Sequence, residues 1–280
     1  MKGADGANGT DGKNGANGKS AYELAKAGGY MGTEAEWLES LKGANGKSCS
    51  FDNVCGSIFL TCGDDKFLLG FDSTYMMLTD KRDQKSYRTV LIGEQCWMAE
   101  NLNFDDSLSY PVLKNGSRCL NDLSDSCEKY GRLYSWSVAV DSAGFFSDNA
   151  EGCGQNKSCS PVYPVRGICP EGWHLPTDAE FETLISTVGG RETVIPTGGT
   201  SAYKALRSTL RGGTNSSGFN ALGGGYWRGT FFGGDRFWGL FEDEPVVRRY
   251  QYMGIEEYGS VTSSREIYTH YLYSVRCIQD

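Results

Sequence analysis

Apolar positions along this chain fall into short stretches of both helical and strand period, and glycine interrupts them often. Three helix starts are marked by capping boxes, in which a Ser or Thr is followed three residues later by Glu. Ser20 with Glu23 opens a short helix through Tyr22, Leu24 and Ala25 that Gly28 and Gly29 stop. Thr33 with Glu36 opens a second, which sets Trp37, Leu38 and Leu41 toward one side before Gly43. Thr177 with Glu180 opens an amphipathic helix, with Phe181, Leu184, Ile185 and Val188 inward and Gly189–Gly190 closing it. The apolar positions of Tyr130–Asp141 are also read as a helix. Strand alternation occurs at Phe67, Leu69 and Phe71. It returns through Tyr87–Ile92, where Gly93–Glu94 turns the chain toward Cys96, Trp97 and Met98 as a hairpin. From Gly212 onward turn signals come at short intervals between strand-like runs that end in Tyr271, Tyr273, Val275 and Cys277.

The N-terminal stretch follows another rule. Glycine occupies every third position from Gly3 to Gly18, the spacing a collagen triple helix requires, but without proline and with Asn and Asp between. Such triplets favour a flexible or weakly trimerising stalk over a stable rod. The string GANGKS at Gly15–Ser20 recurs at Gly43–Ser48, with the capped helical hairpin between the copies. This segment resembles the collagen-like stalks of bacterial surface proteins, in which Gly triplets alternate with a hairpin like SAYELA…GTEAEWLESLKG. The expected organisation is a stalk at 1–48, a small β-like insert at 49–79 and a main domain at 80–280.

Ten cysteines change the picture most: Cys49, Cys55, Cys62, Cys96, Cys119, Cys127, Cys153, Cys159, Cys169 and Cys277. No Cys-x-x-Cys pair occurs and there are two histidines, so the chain lacks the close ligand spacing of zinc sites and no metal is expected. An even count at wide spacing reads as a disulfide framework and an oxidising, extracellular or cell-surface location. No secretory leader follows Met1, so the export signal is expected upstream, together with further stalk repeats. No apolar run of roughly 18 residues codes a membrane span. A net charge of -8 disfavours nucleic acid and anionic lipid surfaces. Within the insert, the cysteines suggest a stapled miniature unit, with Cys55–Cys62 the pairing its spacing offers; Cys49 and Cys96 stay unassigned. The loop from Cys153 to Cys169 is read as pinched by its own cysteines.

Five strings read together carry a family resemblance. They are TDKRDQKSYRTVLIGEQCWMAENLNF (Thr79–Phe104), YGRLYSW (Tyr130–Trp136), CPEGWHLPTDAEFETL (Cys169–Leu184), GTNSSGFNALGGGYW (Gly213–Trp227) and SVRCIQD (Ser274–Asp280). In this order they resemble the Fibrobacter succinogenes major paralogous domain, a family of secreted bacterial domains without a settled activity. The resemblance implies a C-type lectin-like, formylglycine-generating-enzyme-like α+β fold: two helices around a twisted, loop-rich antiparallel sheet. It also implies the disulfide Cys169–Cys277, which joins the capped helix to the last strand, and with it the pairs Cys119–Cys127 and Cys153–Cys159 are expected. The chain departs from the family where relatives carry a Trp-Ser-Ser strand: here it reads Phe237-Trp238-Gly239-Leu240. Calcium-dependent lectins carry Glu-Pro-Asn or Gln-Pro-Asp, whereas Glu244-Pro245-Val246 stands here, and Val246 offers no metal-binding oxygen.

The resulting expectation is a non-catalytic binding module that takes a polysaccharide or a surface protein through loop aromatics between Gly223 and Trp238, without a cofactor. The ligand-contact candidates are Tyr226, Trp227, Phe232, Trp238, Tyr250 and Tyr252, with core packing the competing role for each ring and Trp227 the best exposed candidate. His174 is read as a packed, hydrogen-bonded residue, and no Gly-x-Ser-x-Gly, His-Glu-x-x-His or phosphate loop accompanies it. Two alternatives stand beside this reading. One is a structural module that self-associates through its stalk. The other is an oxidoreductase like the formylglycine-generating relatives, which requires two free, adjacent cysteines.

Overall fold

A computed structural model describes residues 20–41, 48–55, 57–71, 76–154, 159–191, 199–240, 250–256, 259–266 and 270–280. The glycine triplets, most of both GANGKS copies and Glu242–Val246 lie outside the described residues, so of the expected stalk only the helical hairpin is described. The chain forms two compact units. The smaller takes in the described residues up to Asp52 together with Ile58–Gly70. The larger takes in Asn53–Ser57 and Phe71–Asp280.

In the smaller unit, helices α1 (Ala21–Ala27) and α2 (Glu34–Ser40) begin at the capping boxes read from the sequence. The Glu23 amide donates to Ser20 Oγ at 3.2 Å, and the Ser20 amide donates back to Glu23 Oε2 at 2.6 Å. Thr33 and Glu36 repeat this exchange. Trp37 is buried beside the Tyr22 ring at 5.8 Å, but Leu38 is 53% exposed, contrary to its expected inward place. Successive helical residues point about 100° apart, so a two-helix hairpin resting on one aromatic pair covers Trp37 without covering its neighbour.

A three-stranded sheet follows in the order β1 (Cys49–Val54), β2 (Ser57–Cys62), β3 (Asp65–Phe71). The expected Cys55–Cys62 bond does not form. Cys49 bonds to Cys62, their Cα atoms 4.2 Å apart, and Cys55 bonds to Cys96. Cys55 sits in the turn between β1 and β2, so most of β2 separates it from Cys62. That is roughly 20 Å at the strand rise, far beyond the ~7 Å Cα limit of a disulfide.

The larger unit begins with β4 (Met76–Thr79), β5 (Ser86–Ile92), β6 (Gln95–Met98), α3 (Val112–Gly116), β7 (Ser117–Arg118), α4 (Ser124–Tyr130), β8 (Leu133–Ser135) and α5 (Trp136–Ala139). It continues with β9 (Trp173–His174), α6 (Asp178–Thr187), α7 (Ser201–Leu206), β10 (Tyr226–Trp227), β11 (Phe231–Phe232) and β12 (Asp235–Gly239). It ends with β13 (Tyr250–Ile255), β14 (Val261–Glu266), β15 (Leu272–Ser274) and β16 (Ile278–Gln279). Among its described residues five short α-helices stand where two were expected. The expected helix over Tyr130–Asp141 divides. Gly131, at φ +73°, ends α4, Leu133 and Tyr134 enter a sheet, and only Trp136–Ala139 is helical. A Cβ on Gly131 would lie 2.6 Å from Asn101 Cβ, so both the backbone angle and the close approach require glycine.

One sheet runs β4-β5-β6-β16-β9; the other runs β11-β10-β15-β12-β13-β14, with β8 on β15 and β7 on β8. The last strands are therefore shared. β15 lies inside the second sheet, and after Val275, Arg276 and Cys277 the chain enters the first sheet as β16. Adjacent strand residues point to opposite faces, and here both faces are covered. Met98 and Trp238 join one core with Leu102, Tyr134, Trp136 and Val275. Their neighbours Trp97 and Phe237 join the other with Phe181, Leu184, Ile185 and Phe219. The α6 cap forms as its box predicts, and Phe181 stacks on Trp97 at 5.7 Å.

All ten cysteines are bonded. Besides the two pairs above they are Cys119–Cys127, Cys153–Cys159 and Cys169–Cys277. The last spans a sequence separation of 108 and joins the residues just before β9 to the step between β15 and β16. Closing so long a loop stabilises the folded chain by restricting the unfolded one, by about 5 kcal/mol. Replacing Cys169 and Cys277 together by Ala should therefore lower the unfolding free energy by about that amount in urea titrations. A loss under about 1 kcal/mol would show that the bridge adds little to a fold already complete.

Candidate functional site

The site grows from one buried node. Arg276, 1% exposed, donates from Nε to Asn101 Oδ1 at 2.7 Å, from Nη2 to the Asn220 carbonyl at 3.1 Å and from Nη1 to the Phe219 carbonyl. Asn101 Nδ2 donates to the Tyr130 carbonyl at 2.8 Å and to Ser274 Oγ at 3.2 Å. Next to it the Leu102 amide donates to Val275, and the Arg132 amide donates to Leu102. Asn101 and Leu102 thus connect the C-terminal segment to the end of α4 and the start of β8. From β8 hang β7 and α3, and around α3 the surface opens into two clefts.

The first cleft, about 440 Å³, is lined by Val112, Leu113, Asn115, Gly116, Ser135, Ser137, Val138, Asp141, Ser142, Ala143 and Phe146. Its wall is formed by close approach of α3 to α5: a Cβ on Gly116 would lie 2.4 Å from Val138. Ser135 and Ser137 hydroxyls are 3.3 Å apart, and Ser142 and the exposed Asn115 add further polar groups beside Val138 and Phe146. Asp141, at φ +56°, accepts from the amides of Phe145, Phe146 and Ser147 at 2.9, 2.6 and 3.1 Å. Burial pushes its carboxyl above the ordinary range, and the three amides offset that only in part. Its oxygens organise the 141–147 loop. The second cleft, about 450 Å³, lies on the other side of Asn115 and is lined by Lys114, Asn115, Ser117, Arg118, Cys119, Asp122 and Arg132.

The aromatic residues expected to meet a ligand mostly do otherwise. Trp238 is fully buried, donates from Nε1 to the Tyr134 carbonyl at 2.7 Å and packs on Trp136 and Tyr273. Core packing, the competing role, holds for this ring, because β12 runs through a sheet covered on both faces. Tyr226 and Tyr252 are 8% exposed and enclose Arg236, whose guanidinium lies 4.2 and 4.5 Å from their ring centres. Arg236 also donates to Tyr273 Oη and Glu256, both at 3.3 Å. An internal arginine on the Trp238 side of β12 thus occupies rings that would otherwise be free. Phe232, 44% exposed, stacks on Tyr226, and Trp227 is half-buried beside Arg118. The Tyr250 side chain lies outside the described residues. Sequence reasoning missed the clefts entirely. Their one local signal is the polar run Lys114–Arg118 just before Cys119.

His174 is packed, with Nδ1 2.7 Å from Asp280 and Nε2 2.9 Å from Glu180, which also caps α6. Burial favours its neutral form, yet the hydrogen bonds and charges of Glu180 and Asp280 outweigh it and hold the pKa above the ordinary 6.5. Burial also opposes the Glu180 charge, but His174 and Thr177 outweigh it and pull that carboxyl below 4.5. Both ring nitrogens are engaged, so this histidine ties α6 to the C-terminal strand.

A family model described as the Fibrobacter succinogenes major domain matches residues 90–279. No curated protein and no solved structure matches the chain.

The His174 tie has a defined pH window. A raised histidine pKa contributes stability that is complete below 6.5 and lost as pH rises through the folded value. The lowered Glu180 pKa contributes stability present above 4.5 and lost as pH falls through the folded value. Urea midpoints should therefore fall as pH rises through the histidine transition, and His174→Gln should remove that fall. A profile that the substitution leaves unchanged would mean that the pair contributes no pH-dependent stability.

Proposed function

The chain belongs to the Fibrobacter succinogenes major domain family, and on that footing we propose that it is an extracellular, non-catalytic module that binds a carbohydrate chain along α3. The observation that carries this reading is the first cleft. Three serine hydroxyls and the Asn115 amide border apolar surface from Val138 and Phe146, the mixture that sugar hydroxyls and C–H faces require. Its volume falls within the range of small-molecule sites, roughly 300–1,000 Å³. Of the aromatic residues singled out in the sequence, Trp227 is the one beside a cleft residue: Arg118 lines the second cleft and lies 5.3 Å from the Trp227 ring centre.

Five disulfides support a location outside the cytoplasm, and among the described residues no helix is long and apolar enough to cross a membrane. The bond from the Cys169 segment before α6 to Cys277 on the last strands is the one a C-type lectin-like fold would carry, and we assign the larger unit to that fold class. Bonding of all ten sulfurs removes the free thiol pair that a cysteine-dependent oxidase needs, which favours binding over that chemistry.

The test is a pull-down of the folded protein on cellulose and xylan and a glycan array, with Asn115→Ala/Ser137→Ala and Trp227→Ala alongside. Glycan binding should weaken roughly tenfold in the double variant, about the effect of losing one or two hydrogen bonds. Trp238→Ala should instead lower stability by about 3–5 kcal/mol. Binding that survives both cleft substitutions, or no binding to any glycan, would turn the assignment toward a protein partner at the cell surface.

A further inference from the structure

The second cleft differs in charge from the rest of the molecule. Three cations, Lys114, Arg118 and Arg132, line it against one carboxylate, Asp122, in a chain whose net charge is -8. Asp122 accepts from Arg118 Nη1 alone, with both oxygens at 3.0 Å, so Nη2 and Nε of Arg118 have no acceptor among the described residues. Lys114 is exposed and likewise without a partner among them. Arg132 is held from behind: Nη2 donates to Asp105, and Nη1 lies 3.5 Å from both sulfurs of the Cys119–Cys127 bond. Its buried Nε has no acceptor among the described residues.

These are the donors a carboxylate needs: a guanidinium fork beside a free ammonium, with the Cys119–Cys127 bond anchoring the chain directly after Arg118. Asn115 lines both clefts. A chain lying along α3 therefore meets hydroxyl-binding groups on one side of Asn115 and a cationic cradle on the other. We propose that the second cleft binds the carboxylate of an acidic sugar, so that the preferred ligand is a polysaccharide containing uronic acid. The Trp227 ring, 5.3 Å from the Arg118 guanidinium carbon, holds that cation at the edge of the cleft by a cation–π contact. The overall negative charge repels polyanions at long range. Selectivity therefore comes from this local contact, and it weakens as salt screens the exposed Lys114.

This inference rests on the carbohydrate reading above, and titration calorimetry separates the two. Polygalacturonate, its methyl ester, xylan and dextran sulfate would each be titrated into the full chain. Polygalacturonate should bind at least tenfold more tightly than its methyl ester, and Lys114→Ala and Arg118→Ala should each weaken it about tenfold. Neither substitution should alter xylan binding by more than about twofold. Lys81→Ala, an exposed lysine paired with Glu171, should leave all affinities unchanged. Equal affinity for acid and ester, indifference to both substitutions, or tighter binding of dextran sulfate would overturn the carboxylate site. If xylan still binds in that case, the neutral-sugar reading stands; if no glycan binds, both readings fall.

Discussion

The structure of the larger unit depends on keeping one guanidinium in its interior. Arg276 carries its charge against the rings of Phe219 and Phe237, 4.2 and 5.2 Å from their centres, and burial lowers its pKa to about 10. It therefore stays charged at neutral pH. No carboxylate pairs with it directly among the described residues. Two carbonyls and Asn101 receive its protons instead. A buried charge is tolerated only when its donors are satisfied, and leaving one stranded costs several kcal/mol. The carbonyls of Phe219 and Asn220 and the side chain of Asn101 are thus confined to places where they can accept. Because Arg276 sits between β15 and β16, this confinement fixes the point where the chain passes from one sheet to the other.

The clefts follow from the same constraint. Asn101 holds the end of α4, Leu102 holds Arg132, and β8 pairs with β15 through Leu133, Tyr134 and Ser135. Short elements with little core of their own then carry the exposed polar groups, and the Cys119–Cys127 bond tightens the loop behind the cationic side. This division of labour suits a binding protein: a rigid, doubly covered sheet behind, and loops stapled to it in front. It also accounts for the fate of the aromatics. Tyr226, Tyr252, Tyr273 and Trp238 fill the interior around Arg236, and Trp227 and Phe232 remain at the edge.

Much of the local structure was legible in the sequence. The capping boxes at Ser20, Thr33 and Thr177 specify helix starts through their own side chains, so no tertiary information is needed to read them. The hairpin of β5 and β6 is written in its alternation and its Gly93 turn. Where burial decides, the pattern misleads. Tyr130–Asp141 reads as one helix because both faces of β8 and α5 are covered, which erases the strand period. Trp238 stands among the ligand-contact candidates because local sequence does not separate an exposed ring from a packed one; the sheet covered on both faces decides it. Nothing local marks Arg276 as internal, since its acceptors come from residues distant in sequence. Lys114 stands on α3, Arg118 on β7 and Arg132 just before β8, and the pairing of β7 with β8 brings them together.

Hydrogen exchange measured residue by residue, with and without saturating xylan or polygalacturonate, tests the central claim most directly, because it locates the contact as well as detecting it. Slowed exchange is expected across 112–118 and 133–142, α3 and the segment packed against it, with the sheet amides around Arg276 slow in both states. Protection confined to the 226–232 hairpin, or none with either polysaccharide, would contradict it.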